Sequence, residues 1–344
     1  MLKFGRKTVT STPLDGVDVV LADLDGVVYA GPSAIPFAVD ALNRAAETLR
    51  VGYITNNASR TDQSVADHLT ELGLAVAAAD VVTSPQAAVR LLADQVAPGA
   101  LILVIGGDGL VNEVEKAGFL VTRSADDKPA AVIQGFAPDV GWAHLAEASF
   151  ALNNAAADGA EIPWIATNTD WTIPVARGIA PGNGTLVSAV HTAVGRLPIV
   201  AGKPEVAIFT EATNRFGASQ ALFIGDRLDT DILGANRAGI PSVLVLTGID
   251  KAKQVLAADA ASRPQFILDD LRQLHEPYPE TVMSKDGSSA TVAGATVRIR
   301  GNDVEVSAEG DNGINLLRAA CAAIWASGRP IYGLNVPERL YLDR

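Results

Sequence analysis

The fold of this chain is indicated by a stretch near its amino terminus, where residues 17–29 read VDVVLADLDGVVY. The run from Val17 to Leu24 is mostly apolar and has the length of a strand, and Asp23 and Asp25 stand at its carboxyl end. An aspartate pair suits a strand poorly unless something uses the charge. Taken alone, the pattern leaves open a turn with two solvated aspartates.

Further along the chain, apolar runs of strand length alternate with longer stretches of helical spacing, which is typical of parallel α/β folds. The predicted strands are mostly apolar on both faces, as strands covered by helices must be; they are Val17–Leu24, Val51–Thr55, Leu101–Ile105, Ala131–Gln134, Trp164–Thr167, Ala221–Ile224 and Ser242–Leu246. The predicted helices between them include Ala38–Thr48, Gln63–Leu72, Val206–Phe216 and Asp231–Ala238.

Three more polar segments stand where predicted strands end: residues 55–61 (TNNASRT), 202–205 (GKPE) and 225–231 (GDRLDTD). Each has an ordinary alternative, because threonine and asparagine form caps and turns, a lone lysine is usually solvated, and Asp231 could cap a helix. Ligands of open α/β sheets bind at the carboxyl ends of the strands. We therefore expect the four segments to meet at one site.

A metal site is predicted at that edge. Asp23, Asp25 and Asp226 would converge there, and like charges so close together cannot all stay ionised without a cation. Oxygen ligands without histidine or cysteine suit Mg²⁺.

The four segments, in this order, resemble the four motifs of the haloacid dehalogenase superfamily, and their wording is similar to the NagD-type, or 4-nitrophenylphosphatase-like, branch. The resemblance covers roughly residues 14 to 275. It implies a Rossmann-like parallel-sheet core and a magnesium-dependent phosphatase that works through a phospho-aspartyl intermediate.

The resemblance also implies a role for each matching residue. Asp23 would be the nucleophile, and Asp25 would be the general acid and then the general base. Thr55 and Lys203 would hold and neutralise the phosphoryl group. The metal ligands would be Asp23, Asp25, Asp226 and Asp231, and the substrate-binding residues of the core would be Gly26, Asn56 and Asn57.

The interval between Thr55 and Lys203 is too long for a simple crossover and contains its own strands and helices. This predicts an inserted α/β cap domain, of the C2 type by resemblance, over residues 80–197, with the core over residues 1–79 and 198–278. Caps of this kind close over the crevice and exclude water. Its predicted substrate contacts are Asn168, Asp170 and Asn183, with ordinary surface loops as the alternative.

The composition changes after Pro279, and residues 279–344 predict a small α+β appendix of order β-β-α-β. Its elements would be Thr291–Ile299, Val304–Ser307, Ile314–Ala326 and Ile331–Asn335. This order faintly resembles a fragment of an acetyltransferase-like fold, but a packing or oligomerisation module is the simpler interpretation, and a homodimer is left open. Because all four motifs precede the appendix, a chain that ends near Glu280 is expected to keep activity.

The net charge and the cysteine content limit the classes of binding partner and the cellular compartment. The formal net charge of −12 disfavours nucleic acid and anionic membranes. The single cysteine, Cys321, excludes an internal disulfide and fits a reducing compartment. Residues 1–15 lack the apolar core of a signal peptide, and no run of 18 apolar residues occurs. We expect a cytoplasmic protein whose partner is a small phosphorylated metabolite.

The substrate is the least determined feature. The predicted cap loops offer small polar groups and one aromatic, Trp171, which suits a short polyol phosphate. The sequence is similar to actinobacterial glycerol 3-phosphate phosphatases, so glycerol 3-phosphate comes first and phosphoglycolate and pyridoxal phosphate follow. A non-catalytic protein that binds a phosphorylated metabolite is the alternative of another class, although a degenerate binder would be expected to have lost one of the motif residues. Transfer to an acceptor alcohol instead of water also stays open.

Overall fold

A computed structural model describes residues 11–157, 159–175 and 177–341. The strands are β1 (Val19–Ala22), β2 (Tyr29–Ala30), β3 (Ser33–Ala34), β4 (Arg50–Thr55), β5 (Val81–Thr83), β6 (Leu101–Ile105), β7 (Leu120–Thr122), β8 (Ala131–Gln134), β9 (Trp164–Ala166), β10 (Thr172–Val175), β11 (Gly178–Pro181), β12 (Ile199–Val200), β13 (Ala221–Gly225), β14 (Ser242–Val245), β15 (Phe266–Leu268), β16 (Thr281–Met283), β17 (Ser289–Val292), β18 (Ala295–Arg300) and β19 (Asp303–Ala308). The α-helices are α1 (Ala38–Ala46), α2 (Asp62–Glu71), α3 (Ser84–Ala93), α4 (Asp108–Lys116), α5 (Trp142–Ala157), α6 (Asn183–Val194), α7 (Val206–Phe216), α8 (Leu233–Arg237), α9 (Ala252–Leu256) and α10 (Gly313–Ala326).

The chain forms two compact units, one from residues 1–51 with 220–344 and the other from residues 52–219. In the first unit, parallel strands run in the order β15-β14-β13-β1, with Ala22 of β1 opposite Ile224 of β13. All four residues of β1 are buried, as expected for a strand covered on both faces. Asp23 and Asp226 directly follow these two neighbouring strands, so they start from the same edge of the sheet.

The second unit contains a parallel sheet of order β12-β9-β8-β6-β7. Helices α5 and α6 contribute to one core with this sheet, in which Val132, Trp164 and Val187 are buried. The hairpin β10–β11 lies in sequence between β9 and α6. Strand β4 pairs in parallel with β5 in the same unit, with Tyr53 opposite Val81. The sheet lies largely within the limits that the sequence predicts for a cap, 80–197, and those limits stay a prediction.

The predicted α/β fold with parallel sheets is confirmed, and each predicted strand of the first 275 residues corresponds to an observed one. The helix predicted over Asp231–Ala238 differs at its start. A π-helical turn, Leu228–Ile232, precedes the short α8. The short strands β7 and β12 were not predicted, because so short a run carries no periodicity.

The appendix differs from the predicted β-β-α-β order. Four antiparallel strands, β16-β17-β18-β19, precede α10. The predicted strand Thr291–Ile299 is two strands, because Ala293 and Gly294 adopt positive φ values of 43° and 85° and form a tight hairpin turn. The predicted last strand is a 3₁₀ turn at Ile331–Gly333, followed by an isolated bridge from Asn335 to Asp303.

The appendix and the rest of the first unit share one hydrophobic core. Leu317 and Cys321 of α10 are buried in the same cluster as Leu244 of β14 and Ile232 of the π-helical turn. Arg318 donates through Nε and Nη2 to the carbonyl of Ile267, at 2.9 Å and 2.7 Å, and thereby satisfies the outer side of edge strand β15. The appendix is therefore an integral part of the first unit.

Candidate active site

Three buried carboxylates meet at the carboxyl edge of the sheet in the first unit. Oxygen atoms of Asp23, Asp226 and Asp231 all lie within 4.8 Å of one another. Their side chains are 8%, 1% and 1% exposed, respectively. A divalent cation would offset the cost of burying negative charges so close together. A set of carboxylate oxygens fits Mg²⁺.

The Asp226 carboxylate is held between two glycines. A Cβ atom at Gly26, whose φ is +84°, or at Gly248 would overlap this carboxylate. The main-chain N–H of Ile249 donates to Asp226 Oδ2 at 2.6 Å. The Thr247 hydroxyl donates to the carbonyl of Gly26 at 2.7 Å and ties the two glycine segments together. Gly26 thus packs against the candidate metal site, and its predicted contact with substrate stays a prediction.

Asp231 lies in the π-helical turn and holds the segment that precedes it. Its Oδ2 accepts the main-chain N–H groups of Asp226, at 3.1 Å, and Arg227, at 3.2 Å. The N–H of Leu228 donates to Asp250 Oδ2 at 2.6 Å, and burial raises the pKa of the Asp250 carboxyl above its usual value. Such π-helical turns occur often at functional sites.

Asp25 is exposed, immediately before a turn at residues 26–28, and is not among the three carboxylates that meet. The turn is closed by a hydrogen bond from the N–H of Gly26 to the carbonyl of Tyr29, at 2.9 Å. The Tyr29 hydroxyl lies 3.5 Å from Asp25 Oδ2, at the long limit of a hydrogen bond. An exposed carboxyl at this position is accessible to a substrate, whereas its predicted share in the metal site stays a prediction.

In the second unit, Asn56 joins the segment after β4 to the segment that contains Lys203. Asn56 Oδ1 accepts the main-chain N–H of Lys203 at 2.8 Å, and Asn56 Nδ2 donates to the Lys203 carbonyl at 3.1 Å. Thr55 is buried, and its hydroxyl accepts the N–H of Asn57 at 3.1 Å. Lys203 is also buried, with 4% of its surface exposed. The predicted residues Thr55, Asn56, Asn57 and Lys203 are thus brought together within this unit.

Of the three residues predicted as cap contacts, Asn168 and Asp170 bond Asn56, and Asn183 bonds Asn168. Asn168 Nδ2 donates to the Asn56 carbonyl at 2.8 Å, and Asp170 Oδ1 accepts from Asn56 Nδ2 at 3.2 Å. Asn183 Nδ2 donates to the Asn168 carbonyl at 2.8 Å. Asn168 and Asn183 are almost completely buried, at 3% and 1% exposed. Their side-chain amides therefore hold main chain, and their predicted contact with substrate stays a prediction.

Several residues that hold these sites were not predicted. Ser84, the first residue of α3, donates from its hydroxyl to the Asn56 carbonyl at 2.7 Å, and nothing in its sequence context marks it. Thr247, Gly248 and Ile249 could have been found, because they follow strand β14 at the edge where the other motif residues lie.

Comparison with known families divides the chain into three matched regions. Residues 20–120 match the haloacid dehalogenase-like hydrolase family, and residues 200–274 match a HAD-hydrolase-like family. Residues 293–332, within the appendix, match a GCN5-related N-acetyltransferase-like domain. No helix in the described part of the chain is long and apolar enough to cross a membrane.

Individual proteins extend the likeness over most of the chain. The D-glycerol 3-phosphate phosphatase of Mycobacterium tuberculosis is 44% identical over 310 residues, which are 90% of this chain and 86% of that protein. A crystal structure of glycerol phosphate phosphatase from Mycobacterium tuberculosis in complex with magnesium is 40% identical, covers 95% of each chain and has a TM-score of 0.83. The p-nitrophenyl phosphatase from Archaeoglobus fulgidus is 25% identical with a TM-score of 0.68, and the match covers 75% of this chain and 98% of that one.

Proposed function

The chain belongs to the haloacid dehalogenase-like hydrolase family, and from this premise we propose that it is a magnesium-dependent phosphatase of small phosphate monoesters, with glycerol 3-phosphate as its substrate. The observation that carries the proposal is the meeting of the buried carboxylates of Asp23, Asp226 and Asp231 within 4.8 Å. A buried group of three acids has little use in packing and is well suited to a divalent cation and a phosphate.

In the proposed reaction, a carboxylate oxygen of Asp23 attacks phosphorus, and the bond from phosphorus to the substrate's ester oxygen breaks. Asp25 donates its proton to the departing alkoxide. Asp25 then takes a proton from water, whose oxygen attacks the same phosphorus. Inorganic phosphate leaves, and Asp23 is regenerated.

The remaining residues supply charge and position. Asp23, Asp226 and Asp231 would hold Mg²⁺, which when bound supplies positive charge to the phosphoryl oxygens. We propose that Thr55 donates from its hydroxyl to a phosphoryl oxygen and that the ammonium of Lys203 balances the charge of Asp23 and the phosphate. Asn57 and the main chain of Asn56 are proposed to bind phosphate as well.

The choice of substrate rests on relatives. The similar protein from Mycobacterium tuberculosis is named for D-glycerol 3-phosphate, and the match to it spans 90% of this chain, which is more than the part before the appendix. The polar cap loops give less support than their sequence suggested, because the side chains of Asn168 and Asn183 are bonded to main chain. Phosphoglycolate and pyridoxal phosphate are the substrates to compare.

We further propose a cytoplasmic enzyme, since a single cysteine fits a reducing compartment. Whether the chain forms a homodimer is a separate prediction, which light scattering tests.

The function is tested by incubating the purified full chain with glycerol 3-phosphate, phosphoglycolate, pyridoxal phosphate and p-nitrophenyl phosphate, and measuring release of inorganic phosphate. The proposal expects release with Mg²⁺, none in excess chelator, and the highest kcat/KM for glycerol 3-phosphate. Release from another ester at a much higher kcat/KM would reassign the substrate. No release from any ester would reject the phosphatase.

A further inference from the structure

We propose that Asp170 is a positioning residue, which holds the side chain of Asn56 and through it the main chain at Lys203. The sequence predicts Asp170 as a substrate contact. Its contacts point instead to an action through Asn56 on a residue of the reaction. The inference rests on the proposed phosphatase function, because it assigns a role toward that reaction.

The Asn56 side chain is fixed at three points. Its Oδ1 and Nδ2 pair with the N–H and C=O of Lys203, at 2.8 Å and 3.1 Å, as a neighbouring strand would. The second hydrogen of Nδ2 goes to Asp170 Oδ1 at 3.2 Å. A carboxylate only accepts hydrogen bonds, so Asp170 selects the amide orientation in which Nδ2 faces it. That same orientation matches the donor and acceptor of the Lys203 main chain.

The loop that carries Asp170 also holds the main chain of Asn56. Asn168 Nδ2 donates to the Asn56 carbonyl at 2.8 Å, and Asn168 Oδ1 accepts the N–H of Asp170 at 3.1 Å. One short loop, residues 168–170, therefore bonds both the main chain and the side chain of Asn56. Because Asn168 is almost fully buried, these bonds are little weakened by water.

The main chain next to Lys203 packs tightly against Asn56. A Cβ atom at Gly202 would lie 2.6 Å from both Asn56 Oδ1 and the carbonyl of Thr167. The main chain at Gly202 therefore packs directly on the Asn56 amide. A shift of Asn56 must be taken up by the segment that contains Lys203 or by Thr55, the residue that precedes Asn56.

A positioning role and a substrate contact have different kinetic consequences. A displacement of about 1 Å at a reacting group costs roughly 100-fold in rate. Loss of positioning lowers kcat for every substrate, including p-nitrophenyl phosphate. Loss of a contact with the glycerol moiety raises KM and affects only substrates that carry that moiety.

The test compares Asp170→Ala and Asp170→Asn with Asp139→Asn, a change at an exposed acid between β8 and α5. For Asp170→Ala we expect kcat to fall about 100-fold for both glycerol 3-phosphate and p-nitrophenyl phosphate, with KM within about twofold of wild type. Asp170→Asn retains an acceptor oxygen and should restore part of the loss, and Asp139→Asn should be unchanged. A rise in KM confined to glycerol 3-phosphate would overturn the inference.

Hydrogen–deuterium exchange separates this inference from the phosphatase proposal. The peptide that contains Lys203 should take up deuterium faster in Asp170→Ala than in wild type or Asp139→Asn, whether or not the protein turns over any ester. Unchanged exchange at that peptide would overturn the positioning role. If Asp170→Ala fails to fold, the kinetics and the deuterium exchange of Asp170→Asn decide between a positioning role and a substrate contact. A wild-type protein inactive on every ester rejects the phosphatase proposal on its own.

Discussion

Gly248 leaves no room for a side chain, because a Cβ atom there would overlap the carboxylate of Asp226. Alanine at this position must displace Asp226 from Asp23 and Asp231. We expect Gly248→Ala to raise the Mg²⁺ concentration for half-maximal activity about 10- to 100-fold, as changes around metal ligands do. The measurement is a titration of activity with Mg²⁺.

A matched control is Gly141→Ala, since the nearest atom to a Cβ at Gly141 is the Asp139 carbonyl oxygen at 4.0 Å. This variant should titrate like wild type. If Gly248→Ala also titrates like wild type, Asp226 does not hold the metal as proposed.

Metal removal is the second prediction. The three buried carboxylates need a cation of small radius, so activity should disappear in excess chelator and return with Mg²⁺. Ca²⁺ should inhibit, because it prefers a larger and looser oxygen shell. The measurement is phosphate release in each ion, after dialysis against chelator. Full activity in chelator, with no metal detected by mass spectrometry, would contradict the metal site.

Much of the fold was predictable from local patterns. Strands such as β6 and β8 are continuous apolar runs, and their predicted bounds match the observed ones. The hairpin turn at Ala293 was hidden, because alanine rarely adopts a positive φ and an apolar run continues through it. Local patterns therefore predict long buried strands well and turns of unusual residues poorly.

The approach of Asp23 to Asp226 was predictable, because each follows a strand and the strand ends of a parallel sheet share an edge. The hydrogen bonds that hold Asn56 were not predictable. Asn168 looks like a surface loop residue in sequence, and its burial beside Asn56 depends on contacts between segments more than 100 positions apart. Long-range hydrogen bonds of this kind leave no periodic signal.

Asp25 gives the third prediction, which depends on the leaving group. In Asp25→Asn, glycerol 3-phosphate should turn over at least about 100-fold more slowly, because its alkoxide leaves poorly without a proton. p-Nitrophenyl phosphate has a good leaving group, so it should still release about one equivalent of nitrophenol in a burst. The slow second step should follow, since water then lacks its base. Stopped-flow absorbance measures the burst, and steady turnover of both substrates near the wild-type rate would reject the acid–base role.

The appendix gives the fourth prediction, and it reverses the expectation from sequence. A chain that ends at Glu280 loses α10 and exposes the core around Leu244 and Ile232, so it should aggregate or unfold. In the full chain, Leu317→Ala should lower the free energy of unfolding by about 2–5 kcal/mol. On heating, the folded structure and the Mg²⁺-dependent activity should be lost together in one transition.

Val282→Ala is the control within the appendix, because Val282 is 57% exposed. Its free energy of unfolding should stay within about 0.5 kcal/mol of wild type. A soluble truncated protein with full activity would show that the shared core is dispensable.

The central claim is that Asp23 carries the phosphoryl group. The most direct measurement is rapid acid quenching of the full chain with Mg²⁺ and ³²P-labelled glycerol 3-phosphate, followed by peptide mapping. The account predicts label on the peptide that contains Asp23, released by hydroxylamine as an acyl phosphate is, and no label in Asp23→Asn, which should also lose turnover. Turnover near the wild-type rate in Asp23→Asn, or label on a different residue, would contradict it.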